Sequence, residues 1–152
     1  MTMLGYSDGD GASTGASYLD LAQWITQNQL SIEEDLEQLW RRIVFSIMVH
    51  NTDDHLRNHG FLLTEKGWRL SPAFDLNPEP NGTGLALNIS EFDNSLDLDL
   101  ARQVAPYFRL RNSAADSIIA QVTEAVSHWR GVATQYAISR AEQNRMQLAF
   151  VV

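Results

Sequence analysis

Leu36, Leu39, Trp40, Ile43, Val44 and Ile47 recur at the three- and four-residue steps of one helical face, and this apolar stripe runs directly into the polar stretch His50-Asn51-Thr52-Asp53-Asp54-His55-Leu56-Arg57-Asn58. A chain patterned in this way hangs a polar loop from the end of a buried helix. Ser31-Ile32-Glu33-Glu34 has the spacing of a capping box and predicts where that helix starts. Beyond the loop, Gly60-Phe61-Leu62-Leu63-Thr64 is an apolar run of strand length, Glu65-Lys66-Gly67 a turn, and Trp68-Arg69-Leu70 a returning strand. Ser71-Pro72 ends the hairpin, and Pro72 biases its predecessor toward extended geometry. The hairpin therefore returns Phe74-Asp75 toward the loop, with Phe74 packing inward.

Elsewhere the patterning is mainly helical. Ser17, with Asp20 at the third position, caps a first helix whose stripe is Tyr18, Leu21, Ala22 and Ile25 and which runs to Asn28. Residues 77–84 carry two prolines and two glycines and read as a mobile loop, followed by a short strand over Leu85-Ala86-Leu87-Asn88-Ile89. Leu98 to Phe108 reads as a helix that Pro106 ends or kinks. Ser113 and Asp116 are expected to cap another, with Ile118, Ile119, Val122, Val126 and Trp129 as its buried face. Ser139 and Glu142 form a capping box for a last helix ending near Phe150. The expected fold is mainly α (α+β), a helical bundle with a small β-hairpin at a cleft. Residues 1–16 form a flexible glycine-rich opening and residues 17–152 a single domain.

The polar loop and the hairpin exit together supply the side chains of a phosphoryl-transfer site. Such catalysis rests on positioning and charge neutralisation, so it needs a carboxylate to accept the attacking hydroxyl's proton, and an Asn and an Asp to hold magnesium. Asp53, Asn58 and Asp75 supply these in kinase order, the first two in the spacing Asp-x-x-x-x-Asn. Asp54 reads as a solvated turn residue. Asn58 could instead cap a turn, and Asp75 could bond the backbone near Pro72; their company favours ligand roles. Arg57 is either a surface charge or a contact for a phosphate oxygen. His50, His55 and His59 lack the spacing of a zinc-binding helix, which favours bracing roles. Trp24, Trp40, Trp68 and Trp129 read as core.

These segments closely resemble the C-terminal kinase domain of the HipA family, the serine/threonine-kinase toxins of bacterial toxin–antitoxin pairs. Thr52, Asp53, His55, Arg57 and Asn58 fit the family's form Thr-Asp-x-His-x-(Lys/Arg)-Asn. Leu70, Ser71, Pro72, Phe74 and Asp75 fit its form Leu-(Ser/Thr)-Pro-x-(Tyr/Phe)-Asp. The resemblance implies a protein-kinase-like C-terminal lobe that uses ATP and Mg2+, with Asp53 as catalytic base and Asn58 and Asp75 as magnesium ligands. It implies that His55 supports loop geometry and phosphate charge. It also implies a protein substrate and a small DNA-binding, HipB-like antitoxin as partners.

A kinase anchors its nucleotide with a strand Lys and a glycine-rich loop of a separate N-terminal lobe. The sole lysine here, Lys66, falls in the hairpin turn. The opening Gly5-Tyr6-Ser7-Asp8-Gly9-Asp10-Gly11 has no Lys after it, and its carboxylates repel phosphate. The expectation is a catalytic lobe whose nucleotide-gripping lobe is supplied in cis or in trans, inactive or incomplete alone. A lipid or small-molecule kinase shares the Asp-x-His-x-x-Asn constellation, and a non-catalytic regulatory fragment that binds an antitoxin is the non-enzymatic alternative.

A net charge of −8 with scattered arginines disfavours direct binding of nucleic acid. The absence of cysteine rules out disulfides and thiolate metal sites, and with no spanning apolar stretch or leader it points to the cytoplasm.

Overall fold

The computed structural model describes residues 2–28, 31–65 and 67–151. It is mainly helical with one two-stranded antiparallel hairpin. Helices α1 (Tyr18–Asn28) and α2 (Ile32–Met48) precede the hairpin strands β1 (Phe61–Thr64) and β2 (Gly67–Leu70). Helices α3 (Leu98–Val104), α4 (Asn112–Ser127), α5 (Trp129–Gln135) and α6 (Arg140–Met146) follow. Among the described residues no helix is long and apolar enough to cross a membrane.

α2 is the axis of the core. Its stripe is fully buried, and α1, α3, α4 and β2 all pack on it. Trp40, with no exposed surface, buries the largest side chain and donates its indole N–H to the Ala101 carbonyl of α3 at 3.0 Å. That bond removes the penalty of burying a polar N–H and pins α3 to α2. α1 buries the expected Tyr18, Leu21, Ala22 and Ile25, and its start is a reciprocal cap: Asp20 Oδ2 accepts from Ser17 N–H, while Ser17 Oγ accepts from Asp20 N–H.

The capping box expected at Ser31 does not form, because its Glu34 is drawn to Arg69 of β2, 2.9 Å away. Asp35, next along α2 and only 2 % exposed, accepts from the Arg69 guanidinium and from the Leu70 N–H. The hairpin, in register Phe61↔Leu70 to Thr64↔Gly67, is thereby tied to α2 through its return strand. Trp24 of α1 packs on Phe61, ring centroids 4.2 Å apart, and meets Trp68 edge-on. Two strands are marginal alone, so these anchors on α1 and α2 hold the hairpin in place. Lys66, assigned to the turn by the sequence, lies outside the described residues.

Other expectations require correction. Residues 85–89 form no strand; Asn88 makes a single bridge to Ser17, and the neighbouring backbone groups are spent on loops. Ala86 accepts from Ala12 N–H, Asn88 donates to Ala16, and Leu85 donates to Asn94. Residues 11–16 of the glycine-rich opening therefore lie along residues 86–88. Gly11 approaches so closely that a Cβ there would stand 2.8 Å from the Ala86 carbonyl oxygen. α4 starts one residue before Ser113, and its Asp116 pairs with Arg102 of α3 instead of capping. Trp129 begins α5 rather than continuing the face of α4. Pro106 ends α3, as expected, in a 3-10 turn over Ala105–Phe108, and the Ser139–Glu142 capping box opens α6.

Candidate active site

The loop after α2 is positioned by what it buries. Asn51, Asp54, Leu56, Asn58 and His59 are buried, so the intervening Asp53 stands exposed. Asn51 N–H donates to the Ser46 carbonyl at 2.8 Å, turning the chain off α2, with His50 in the left-handed region at φ 48°. A 3-10 turn over Leu56–Asn58 then delivers Asn58 inward.

Asn58 is the hub of the site. Its Nδ2 lies 3.5 Å from the Asp53 carbonyl oxygen, 3.4 Å from the Asp75 carbonyl oxygen and 3.4 Å from Asp75 Oδ2. These are contacts at the outer limit of hydrogen bonding, which leaves the carboxylate accessible. Asp75 is exposed and sits at φ 57°, a left-handed conformation that a non-glycine residue holds only where its surroundings demand it. The demand comes from both sides: Asn77 Nδ2 donates to Asp75 Oδ1 at 2.7 Å, and the buried Asn51 Oδ1 accepts the Asn77 N–H at 2.9 Å. Glu79 N–H donates to the His50 carbonyl at 3.0 Å. Residues 75–79 are thus fastened to residues 50–51, and Asn51, which sequence patterning does not single out, carries the junction.

Asp54 corrects the sequence reading most sharply. Instead of a solvated turn residue it is a core carboxylate, 2 % exposed, accepting the Tyr18 hydroxyl at 2.6 Å and the Ser46 hydroxyl at 3.4 Å. The equally buried His59 ring places Nε2 3.2 Å from Asp54 Oδ1, off the hydrogen-bond line, and packs edge-on to Tyr18. Burial pushes the Asp54 carboxyl up, but His59, the Tyr18 hydroxyl and the charge of Arg42 outweigh it and hold the pKa below the ordinary 3.8. Burial and the adjacent carboxylate drive the Tyr18 phenol well above 10, so it remains the donor.

Unfolded Asp54 takes up its proton near the ordinary value and the folded form only at lower pH, so the stability it contributes is complete above that value and is lost as pH falls through the folded pKa. Urea unfolding between about pH 5 and pH 3 should show a fall in midpoint that is shallower in Asp54→Asn. Equal slopes in the two proteins would remove Asp54 from the account.

His55 and Arg57 meet each other, His55 Nε2 standing 3.1 Å from Arg57 Nη2, and the other Arg57 terminal nitrogen pairs with Asp8 of the opening. Asp53, His55 and Arg57 share the wall of a cavity of about 400 Å³ whose opposite wall is residues 9–13. Asn58 and Asp75 lie outside that lining. Among the described residues no three His, Cys, Asp or Glu side chains are placed to hold a metal ion by themselves, so a cation here would take further oxygen ligands from a substrate or from water.

A family model, the HipA-like C-terminal domain, matches residues 1–129, a span that includes the opening, the loop, the hairpin and α4. Curated proteins give no match to the chain.

Proposed function

Because the chain belongs to the family of HipA-like C-terminal domains, a family of toxin-related kinases, we propose that it is the catalytic lobe of a serine/threonine protein kinase that transfers the γ-phosphate of ATP to a protein hydroxyl. The observation that carries this reading is the reach of Asn58, whose one amide touches the Asp53 backbone and the Asp75 carboxylate from a buried position. It joins the candidate base to the candidate ligand across the hairpin.

In this reading Asp53 takes the proton of the acceptor hydroxyl as its oxygen bonds to the γ-phosphorus, and ADP leaves with the bridging electron pair. Asp53 suits the role because its carboxylate is exposed on a loop held from behind by buried neighbours. Asp75 and Asn58 would hold Mg2+, which when bound neutralises phosphate charge. The hard oxygens of an exposed carboxylate and an adjacent amide fit that ion, with Asn58 presenting its oxygen in place of the nitrogen that now faces Asp75. Arg57 and His55 would meet phosphate or acceptor in the cavity beside Asp53. The nucleotide is gripped by a further lobe in cis or in trans. A protein substrate and a HipB-like DNA-binding antitoxin are the partners of this proposal, and the cytoplasm its compartment.

Magnesium titration tests the ligand assignment apart from turnover. Asp75→Ala should weaken Mg2+ binding, followed by calorimetry, by at least about tenfold. Unchanged affinity would leave the loop a relic without a metal site. Transfer of labelled phosphate to a protein substrate, with a nucleotide-gripping lobe added in trans, tests the reaction itself, and transfer to lipid or small molecules alone would redirect the substrate assignment.

A further inference from the structure

Gly82 lies directly against Thr52, the residue before Asp53. A Cβ there would stand 2.3 Å from Thr52 Cγ2, 2.7 Å from its Oγ1 and 3.0 Å from its Cβ. Backbone freedom is not what calls for glycine at this position, since its φ lies outside the left-handed region. What excludes a side chain is Thr52.

Neither wall of this contact can step aside alone. The two γ atoms of Thr52 take two of its three staggered positions and both face Gly82, so every rotation about χ1 leaves at least one of the two filled. Thr52 N–H donates to the His50 carbonyl at 2.8 Å, and the neighbouring Asn51 and Asp54 are buried. Gly82 N–H donates to the Glu79 carbonyl at 3.1 Å, and Glu79 N–H donates at 3.0 Å to the same His50 carbonyl, so both walls hang from one peptide group. On the other side the buried Leu85 donates its N–H to Asn94 at 2.8 Å. Carbon atoms rest about 3.5 Å apart, so a methyl group at position 82 requires a shift of about 1 Å. That shift falls on Thr52 and Asp53, or passes through Glu79 to the segment that carries Asp75.

We infer that Gly82 is a positioning residue of the transfer reaction, an inference that rests on the kinase reading above. By presenting no side chain to Thr52, it lets residues 79–85 close on the loop and fixes Asp53 relative to Asn58 and Asp75.

The unaltered chain, Gly82→Ala, Thr52→Ala and the double variant form the test. The Asn58 side-chain amide faces both Asp53 and Asp75, and its resonances in the chain alone report their relative placement without turnover. Gly82→Ala should move those resonances, and should do so far less when Thr52→Ala has removed both γ atoms. Phosphate transfer to casein, with a nucleotide-gripping lobe in trans, should lose at least about tenfold in kcat in Gly82→Ala while KM for casein stays within about twofold. Added to Thr52→Ala, the same change should cost less than about twofold. Equal losses in the two backgrounds, or Asn58 resonances that stay in place, overturn the inference. A Gly82→Ala chain that unfolds makes the contact structural and overturns it as well. If the unaltered chain transfers no phosphate to any acceptor, the kinase reading falls, and the Asn58 resonances still decide whether Gly82 sets the placement.

Discussion

Asp53→Asn is expected to cut phosphate transfer by about 10²–10⁴-fold while leaving the unfolding midpoint where it was. The two halves of this expectation have separate grounds. In the proposed mechanism the Asp53 carboxylate is the proton acceptor at the moment the hydroxyl attacks, and an amide in its place could not take that proton. Stability is spared because the Asp53 contacts within the chain run through its backbone: its carbonyl accepts from His55 N–H and faces Asn58, and its side chain is exposed. Surface changes of that kind stay within about 0.5 kcal/mol. The assay pairs the chain with a nucleotide-gripping lobe and compares turnover with urea unfolding of the same preparations. Full turnover in the variant would remove Asp53 from the chemistry, and a large loss of stability would show that the side chain is structural.

The neighbouring Asp54→Ala should behave in the opposite way, destabilising the chain by about 3–5 kcal/mol before any chemistry is measured. The substitution leaves the buried Tyr18 hydroxyl without its acceptor, removes a partner of Ser46 and leaves the His59 ring beside an empty space. Domains of this size hold only about 5–15 kcal/mol in total, so a large share of the folded population is at stake. Asp54→Asn keeps the volume and one acceptor, and should cost less than the alanine change. Urea unfolding of the three proteins measures both. A cost below about 1 kcal/mol for Asp54→Ala would mean that the network is an ornament of the loop rather than its foundation.

These two carboxylates mark how far the sequence could be read. Asp53, Asn58 and Asp75 stand out because their spacing along the chain is itself the signal, and the hairpin between them is written in two short apolar runs and a turn. Nothing local separates Asp54 from an ordinary solvated aspartate. Its partner Tyr18 lies 36 residues earlier, on a face of α1 where an apolar stripe is the only visible pattern. Asn51 is similarly silent, since its role is to hold the backbone of Asn77, 26 residues away. The Ser31 capping box and the strand at residues 85–89 failed for a related reason: Glu34 and the backbone around Ala86 found distant partners that outcompeted the local ones.

Period and spacing belong to the sequence alone, because side-chain direction repeats every 3.6 residues in a helix and every two in a strand. They determined the core stripe of α2, the hairpin, and the order of Asp53, Asn58 and Asp75 along the chain. Which polar groups are buried, and against what, was decided only when α1, α2 and residues 75–79 came together. A buried charge or hydroxyl is tolerated solely where a partner meets it, and that partner is set by packing between segments far apart in the chain.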